Sequence, residues 1–328
     1  MTLARVIFPI AFMFAGCSVH THDEAAKAEP REEASVATIT AFTEGPTADA
    51  DGNIYFSEII NQRIMKMTPG SHKLSTFREN SNSANGLLFD NEWRLIACEG
   101  ASLKSAQFGG SPHASVDMKP RVTRTDMKTG KMEVLADNYE GKAFVGPNDV
   151  TMDAKNRLYF TDLPGGAVYR IDTDLKLTRI LNTPDIQRPN GIAISPDDKT
   201  LYLVEANGQE GGARMLRAYD LGADGSVSNM RVFHNFYPGR SADGMCMDSQ
   251  GNLYAAAGLH QRRGTSETLD TKTGVHVFAP DGKLKKFIAV PEDTITNCTF
   301  AGPDMKTLYI TAGKGLYEYK NDVAGTRR

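Results

Sequence analysis

Residues 148–172 read NDVTMDAKNRLYFTDLPGGAVYRID, and this stretch decides the fold. Three short apolar segments are separated by turns built from Asp, Asn, Pro and Gly; they lie at 148–152, 157–161 and 167–172. Such alternation is typical of antiparallel strands joined by tight turns. The polar Asn148 begins the first segment, and Tyr159 lies in the second segment eleven positions later. A unit this small cannot bury its apolar faces alone, so we expect the rest of the chain to repeat it.

The interval between a polar residue and a strand residue, usually tyrosine, recurs six times. The pairs are Glu44 with Tyr55, Asn85 with Ile96, Asn148 with Tyr159, Asn190 with Tyr202, Asp243 with Tyr254 and Asn297 with Tyr309. The interval is eleven residues in four pairs and twelve in two, where a Pro-Asp turn carries an extra residue. A more variable outer segment follows each third strand. The pattern predicts an all-β fold, a six-bladed β-propeller with four-stranded antiparallel blades. Residues 35–42 are expected to supply the outer strand that closes the last blade.

The composition describes a globular chain without a surface for nucleic acid. It has 328 residues, 40% of them hydrophobic, with 30 glycines and a formal net charge of -3. Nucleic acid is excluded as a partner because the sequence has no cluster of Lys and Arg with interleaved aromatic residues. Apart from Cys17, the cysteines are odd in number and widely spaced: Cys98, Cys246 and Cys298. We therefore expect buried free thiols and no disulfide framework.

The N-terminus resembles a bacterial lipoprotein signal. A basic residue precedes an apolar run at 6–14, and Ala-Gly stands directly before Cys17. The run is too short to span a membrane, which favours a secretion signal. We expect residues 1–17 to form a signal peptide ending at the lipidated Cys17, with cleavage without lipidation as the alternative. Residues 18–35 are interpreted as a flexible tether and residues 36–328 as the propeller. The predicted location is periplasm-facing and anchored to the membrane only by the N-terminal lipid, or secreted.

The six polar residues share one position of the repeat, so they should meet at one mouth of the central channel. Loops between second and third strands should rim the same mouth, and three of them are long, at 100–120, 206–212 and 258–274. Two carboxylates and four carboxamides form an oxygen-only environment that suits Ca²⁺, Mg²⁺ or Mn²⁺ better than Zn²⁺. We expect one divalent cation, with Ca²⁺ favoured and Mg²⁺, Mn²⁺ or Zn²⁺ as alternatives. The competing interpretation is that these residues only cap turns before strands.

The segments at these positions resemble a known family. They include Glu44-Gly45-Pro46, Ser83-Ala84-Asn85-Gly86-Leu87, Gly146-Pro147-Asn148-Asp149-Val150, Arg188-Pro189-Asn190-Gly191, Asp243-Gly244-Met245 and Thr296-Asn297-Cys298-Thr299-Phe300. Their order and spacing, over roughly residues 40–320, are similar to the senescence marker protein, gluconolactonase and luciferin-regenerating enzyme family, also known through regucalcin. The resemblance implies a six-bladed propeller that is a metal-dependent hydrolase, with lactones as the best-known substrates.

The resemblance also implies roles for individual residues. The implied metal ligands are Glu44, Asn148, Asn190 and Asp243. Asp243 is also the candidate catalytic base, with hydroxide generated at the cation as the competing base. The cation would polarise the ring carbonyl of a lactone, which water then attacks. Three further residues are interpreted as substrate contacts or as supports of the ligands: Asn85, Asp149 and Asn297.

Charged and titratable loop residues give additional candidates. His113 and His260 should rim the mouth, where they are candidate substrate contacts that protonate the leaving alkoxide. Arg240, Arg262 and Arg263 are interpreted as solvated charges, with an acidic group of the substrate as the alternative partner.

The predicted function is a metal-dependent hydrolase that opens a small-molecule lactone or related ester. Ala143 and Val145 stand where sugar-lactone members of the resembled family commonly carry Arg and Asn, which argues against a polyol substrate. Two alternatives stay open. One is phosphotriester hydrolysis on the same metal centre, and the other is a non-catalytic, ligand-binding propeller with a structural cation.

Overall fold

The chain forms a six-bladed β-propeller, as the sequence predicts. The structure is a computed structural model, and it describes residues 33–100 and 119–327. Within these residues the strands form six four-stranded antiparallel sheets and one two-stranded ribbon, and there is no helix. The same residues therefore contain no helix that is long and apolar enough to cross a membrane.

In each blade the chain runs from the innermost strand outward, and the sixth blade takes its outer strand from the N-terminal segment. The first is β2 (Thr43–Ala48), β3 (Ile54–Glu58), β4 (Arg63–Thr68) and β5 (Lys73–Arg78), and the second is β6 (Leu87–Phe89), β7 (Leu95–Glu99), β8 (Arg121–Thr125) and β9 (Met132–Ala136). The ribbon β10 (Asn138–Tyr139) and β11 (Lys142–Ala143) follows. The third blade is β12 (Pro147–Met152), β13 (Leu158–Asp162), β14 (Ala167–Ile171) and β15 (Leu177–Asn182).

The remaining three blades continue the same order. The fourth is β16 (Pro189–Ile194), β17 (Thr200–Ala206), β18 (Arg214–Leu221) and β19 (Val227–Asn235), and the fifth is β20 (Ala242–Met247), β21 (Leu253–Ala257), β22 (Gly274–Phe278) and β23 (Leu284–Ala289). The sixth is β24 (Ile295–Ala301), β25 (Thr307–Ala312), β26 (Gly315–Lys320) and, as its outer strand, β1 (Ser35–Ile39).

Closure of the ring depends on β1. It pairs antiparallel with β26, with Ser35 opposite Glu318 and Ile39 opposite Gly315. Ala37 is 8% exposed and packs in a core cluster with residues of the first and sixth blades. The prediction that residues 35–42 supply the closing strand is confirmed. The last blade is thus built from both ends of the described chain.

Aspartates hold the turns after the innermost strands. The Asp153 Oδ1 atom accepts the backbone N–H groups of Lys155 and Arg157 at 2.9 and 3.0 Å. Equivalent pairs of bonds are made by Asp49, Asp90 and Asp248. Such an Asx turn fixes the direction in which the second strand leaves, because it satisfies donors that the sheet does not use.

The cores lie between adjacent blades. The repeated tyrosines are all nearly inaccessible, from 0% exposed at Tyr159 to 5% at Tyr202. Tyr159 packs with side chains of the fourth blade, and its hydroxyl donates to Asp153 Oδ2 at 3.0 Å. Each tyrosine therefore serves blade packing, which stabilises the ring by burying apolar area between sheets.

Candidate functional site

The predicted site residues lie where innermost strands lose regular pairing. The register of β2 against β3 shifts between Glu44 and Thr47. Equivalent shifts follow Pro147 in β12, Pro189 in β16 and Ala242 in β20. Irregular pairing of this kind bends a strand and redirects its side chains, which is why it is common beside functional sites.

Neighbouring innermost strands approach each other closely at glycines. A Cβ atom on Gly86 would stand 2.6 Å from the Asn148 carbonyl oxygen, and the Gly86 N–H donates to that oxygen at 2.7 Å. A Cβ atom on Gly191 would likewise stand 2.6 Å from the Asp243 carbonyl oxygen. A larger residue would push the blades apart, so glycine is required at both contacts. The close approach draws residues from different blades to one narrow channel.

Three acidic residues from alternate blades interact there. Burial, followed by the charges of Asp243 and Asp149, raises the pKa of Glu44 well above its ordinary value. Burial also raises the pKa of Asp149 to about 7, although hydrogen bonds from Asn297 and Val150 oppose the shift. Negative charge in this space is poorly solvated and is not fully compensated by the protein.

Asp243 is held by two donors. Asn190 Nδ2 donates to Oδ1 of Asp243, and the Arg240 guanidinium donates to Oδ2. Arg240 is 8% exposed, and its other terminal nitrogen donates to the Ile295 carbonyl oxygen at 3.0 Å. The interpretation of Arg240 as a solvated charge is therefore wrong. Nothing in the local sequence shows that this side chain folds back on the acid three residues later.

Asp149 and Asn297 meet across the channel from the third and sixth blades. Asn297 Nδ2 donates to Asp149 Oδ2 at 3.0 Å, and Asn297 Oδ1 accepts the Cys298 N–H at 2.8 Å. Four of the other five repeats have glycine at the position of Asp149, namely Gly45, Gly86, Gly191 and Gly244. Asp149 therefore introduces a carboxyl group where most blades present only backbone.

Two further carboxamides lie on the same strands. Asn85 is 6% exposed, and its carbonyl oxygen accepts the Ser57 hydroxyl at 2.6 Å. Asn148 is half-buried, and its carbonyl oxygen contacts the second blade through Gly86. The backbone carbonyl groups of Asn85 and Asn148 thus lie at the channel wall, close to Asp149 and to the strand positions where the register shifts.

Of the two predicted loop histidines, the structure describes His260. His260 Nε2 lies 3.0 Å from the Val290 carbonyl oxygen, which ties the exposed ring to a neighbouring loop. No bond between His260 and Asp243 is found among the described residues. His113 lies outside the described residues, as does Cys17.

A second set of acids supports the strands that bear the site. Glu58, Glu99, Asp162 and Glu205 are all at most 2% exposed, and each lies three residues after the repeated strand residue. Asp162 accepts the N–H groups of Val145 and Gly146 at 2.9 and 2.8 Å. Glu205 does the same for Gln187 and Arg188. Sequence reasoning missed this set, although its constant spacing was a usable signal.

A cavity of about 280 Å³ continues the channel toward the opposite mouth. Asp149 and Asn297 line one end, and the turn residues Asp49 and Asp90 line the other. Arg327 of the C-terminal segment also borders it and lies over a tryptophan ring. Asp149 and Asn297 therefore line this cavity, and Asp149 is also one of the three interacting acids.

A divalent cation fits the donor set. No group of three His, Cys, Asp or Glu residues able to hold a metal occurs in residues 33–100 and 119–327, so carboxamides would have to contribute. The carboxylates of Glu44 and Asp243, with the carboxamide oxygens of Asn148 and Asn190, are the hard oxygen donors that Ca²⁺ prefers. The raised pKa of Glu44 marks buried charge that such an ion would neutralise.

Comparison with known proteins agrees with this architecture. Residues 42–314 match the family described as SMP-30/Gluconolactonase/LRE-like region. The chain belongs to this family. Gluconolactonase of Zymomonas mobilis is 27% identical over 88% of the chain and 81% of its own length. Lactonase drp35 of Staphylococcus haemolyticus is 26% identical over 65% of the chain, which spans 62% of that relative. A solved gluconolactonase of Xanthomonas campestris superimposes with a TM-score of 0.70 at 25% identity, covering 89% of each chain.

Proposed function

We propose that this chain is a divalent-cation-dependent hydrolase that opens a lactone at the mouth bearing Glu44, Asp149 and Asp243. The observation that carries the proposal is that burial, together with the charge of the Asp243 carboxylate that Asn190 and Arg240 hold, raises the pKa of Glu44 and Asp149 from other blades. The reaction class is supported by relatives named gluconolactonase and lactonase. Membership of the family alone would support the fold, whereas the acids supply a site.

The proposed cation ligands are Glu44, Asn148, Asn190 and Asp243. A bound divalent cation would supply a Lewis acid that polarises the ester carbonyl and favours deprotonation of the attacking water. Asn190 and Arg240 orient the Asp243 carboxylate, since each donates to a different oxygen. With its pKa raised to about 7, Asp149 is suited to hold a proton near neutral pH. The expected product is the ring-opened hydroxy acid.

Hydrolysis of a substrate panel tests the proposal. The panel contains sugar lactones, aliphatic lactones and aryl phosphotriesters, assayed before chelation, after chelation, and after return of Ca²⁺, Mg²⁺, Mn²⁺ or Zn²⁺. We expect lactone opening that chelation abolishes and Ca²⁺ restores. Restored activity only on phosphotriesters would replace the lactone by a phosphoryl substrate. A folded protein without turnover under any condition would favour a non-catalytic, ligand-binding propeller.

We further propose export and lipidation at Cys17. The support is the short signal-like segment that ends at this cysteine. Mass spectrometry of the N-terminal peptide from the membrane fraction should find acylated Cys17, and a Cys17→Ser variant should leave that fraction. An unprocessed N-terminus in the wild-type protein would contradict the proposal.

A further inference from the structure

Two thiols of neighbouring blades lie in contact inside the propeller. Cys246 lies on β20 and Cys298 on β24, and their Sγ atoms are 3.3 Å apart. Both side chains are nearly buried, at 6% and 3% exposed. A disulfide needs a sulfur separation of about 2.05 Å, so the two Sγ atoms would have to approach each other by roughly 1.2 Å.

The thiols border the cavity that continues the channel. Cys246 and Cys298 are both part of its lining, and so is the exposed turn residue Asn91 at the far mouth. The volume of about 280 Å³ exceeds that of several water molecules. A small uncharged reagent would therefore approach from the side opposite the acidic group, and it needs a local opening of the core cluster that holds both thiols to reach their sulfur atoms.

We propose that Cys246 and Cys298 are a dithiol site that a small dialkyl disulfide oxidises to an intramolecular disulfide. One protein thiolate attacks a sulfur of the reagent, which forms a mixed disulfide and expels one alkyl thiolate. The second protein thiol then attacks the bonded cysteine sulfur and expels the other alkyl thiolate. The two protons lost by the cysteines end on the two released alkyl thiols, and the reagent is reduced by the two electrons that the cysteines lose.

The bond would connect strands that carry site residues. Cys298 donates its N–H to Asn297 Oδ1, and Asn297 in turn donates to Asp149. Cys246 lies three residues after Asp243 on β20. Oxidation therefore fixes the fifth and sixth innermost strands to each other directly beside the acidic group. The inference rests on the thiols alone and does not depend on the proposed hydrolase function.

The reaction should be slow. Burial, and then the neighbouring Cys298, raises the pKa of the Cys246 thiol well above its ordinary value. Thiolate is the attacking species in exchange, so its scarcity lengthens the reaction to hours. Cys98 provides an internal control, because it is 0% exposed and is not part of the cavity lining.

Peptide mapping of the folded full-length chain tests the inference, with 2-hydroxyethyl disulfide as the reagent. After incubation, free thiols are alkylated and the protein is digested with trypsin, which places the two cysteines in peptides 241–262 and 287–306 and Cys98 in peptide 95–104. We expect the first two peptides to be joined and to separate on reduction, while Cys98 is alkylated. A Cys98→Ser variant should behave like the wild type, and Cys246→Ser should give no joined pair.

A second readout is thermal stability. A crosslink between these strands should raise the melting temperature of the oxidised protein by about 3–6 °C over the reduced form, because it constrains the unfolded chain. Two results would overturn the inference. One is that both cysteines of the folded protein stay fully alkylated, although the same reagent joins them once the protein is unfolded in urea. The other is that the cysteines form stable mixed disulfides with the reagent and no joined pair.

Discussion

At the scale of single residues, the two carboxylates of Glu44 and Asp243 differ in how many donors compensate their charge. Among the described residues, Asp243 has one cationic and one neutral donor, whereas Glu44 has the N–H of Gly45 at 3.3 Å. An uncompensated buried acid destabilises a protein, and such groups cluster at functional sites. Glu44 is therefore the less compensated of the two acids, and Asp243 is the one whose carboxylate the protein holds in a fixed orientation.

Replacing Asp243 by Asn should abolish most turnover without unfolding the protein. The change removes one negative charge beside Glu44, which relieves repulsion, but it also deprives Arg240 of its partner, so the two effects on stability oppose each other. We expect kcat/KM for the best lactone to fall at least about 100-fold. The matched control is Asp281→Asn in an exposed turn, which should keep full activity. An active Asp243→Asn enzyme would remove Asp243 from the mechanism.

Replacing Glu205 by Gln should destabilise the fourth blade. Glu205 is 0% exposed, accepts the N–H groups of Gln187 and Arg188, and pairs with Arg217 at 3.2 Å. An amide would place its NH₂ group against one of these donors and remove the negative charge that pairs with Arg217. Urea unfolding should show a loss of about 3–5 kcal/mol. Glu210→Gln, at an exposed position, should change stability by less than about 0.5 kcal/mol. A loss below about 1 kcal/mol in Glu205→Gln would show that this acid does not hold the strand.

At the scale of elements, much of the fold is predictable from the sequence and part of the site is not. The spacing of Glu44 from Tyr55 repeats in every blade because each innermost strand and turn has nearly constant length. Contacts between blades leave no such local trace. The fold of Arg240 onto Asp243 and the approach of Cys246 to Cys298 depend on how neighbouring sheets pack. Sequence spacing therefore predicts the strands, whereas side-chain contacts between neighbouring blades follow only from how the sheets pack in three dimensions.

The closing strand β1 permits a matched test of packing. Ala37 is 8% exposed in the core, whereas the adjacent Val36 is 49% exposed. Ala37→Asp should cost at least about 3 kcal/mol, because it places a carboxylate in an apolar cluster. Val36→Asp on the same strand should cost less than about 1 kcal/mol. Urea unfolding compares the two variants, and equal losses would show that β1 does not close the sixth blade.

At the scale of the whole molecule, stability should depend on a buried neutral histidine of the fifth blade, His276. His276 is 9% exposed, its Nε2–H donates to the Lys272 carbonyl oxygen at 2.8 Å, and its ring stacks on Phe278. Burial is the main cause that lowers the pKa of His276; the hydrogen bond to the Lys272 carbonyl oxygen opposes this shift, whereas the charges of His234 and Lys272 add to it. The unfolded chain therefore binds a proton more readily than the folded chain does.

The sign of the pH dependence follows from that difference. The contribution of His276 is complete above the unfolded pKa of about 6.5 and is lost as the pH falls below that value toward the lower folded pKa. Between pH 7.5 and 5.5 the wild type should lose roughly 1 kcal/mol more than His276→Phe in urea unfolding. The quantity compared is the change of the unfolding free energy with pH in each protein, so an effect of the substitution that is the same at every pH cancels. Parallel slopes would assign the pH dependence to other groups.

The pairing of β1 with β26 also bears on how the protein is made. Ser35 and Glu318 are partners across 283 positions, so the ring cannot close until β26 has formed and can pair with β1. During synthesis, the first five blades can be complete while the β1 segment still has no neighbour. Until then, the emerging chain exposes the unpaired edge of an unfinished ring, which is a risk for aggregation. Ring closure is therefore expected to be the last step of folding, after β26 has become available to β1.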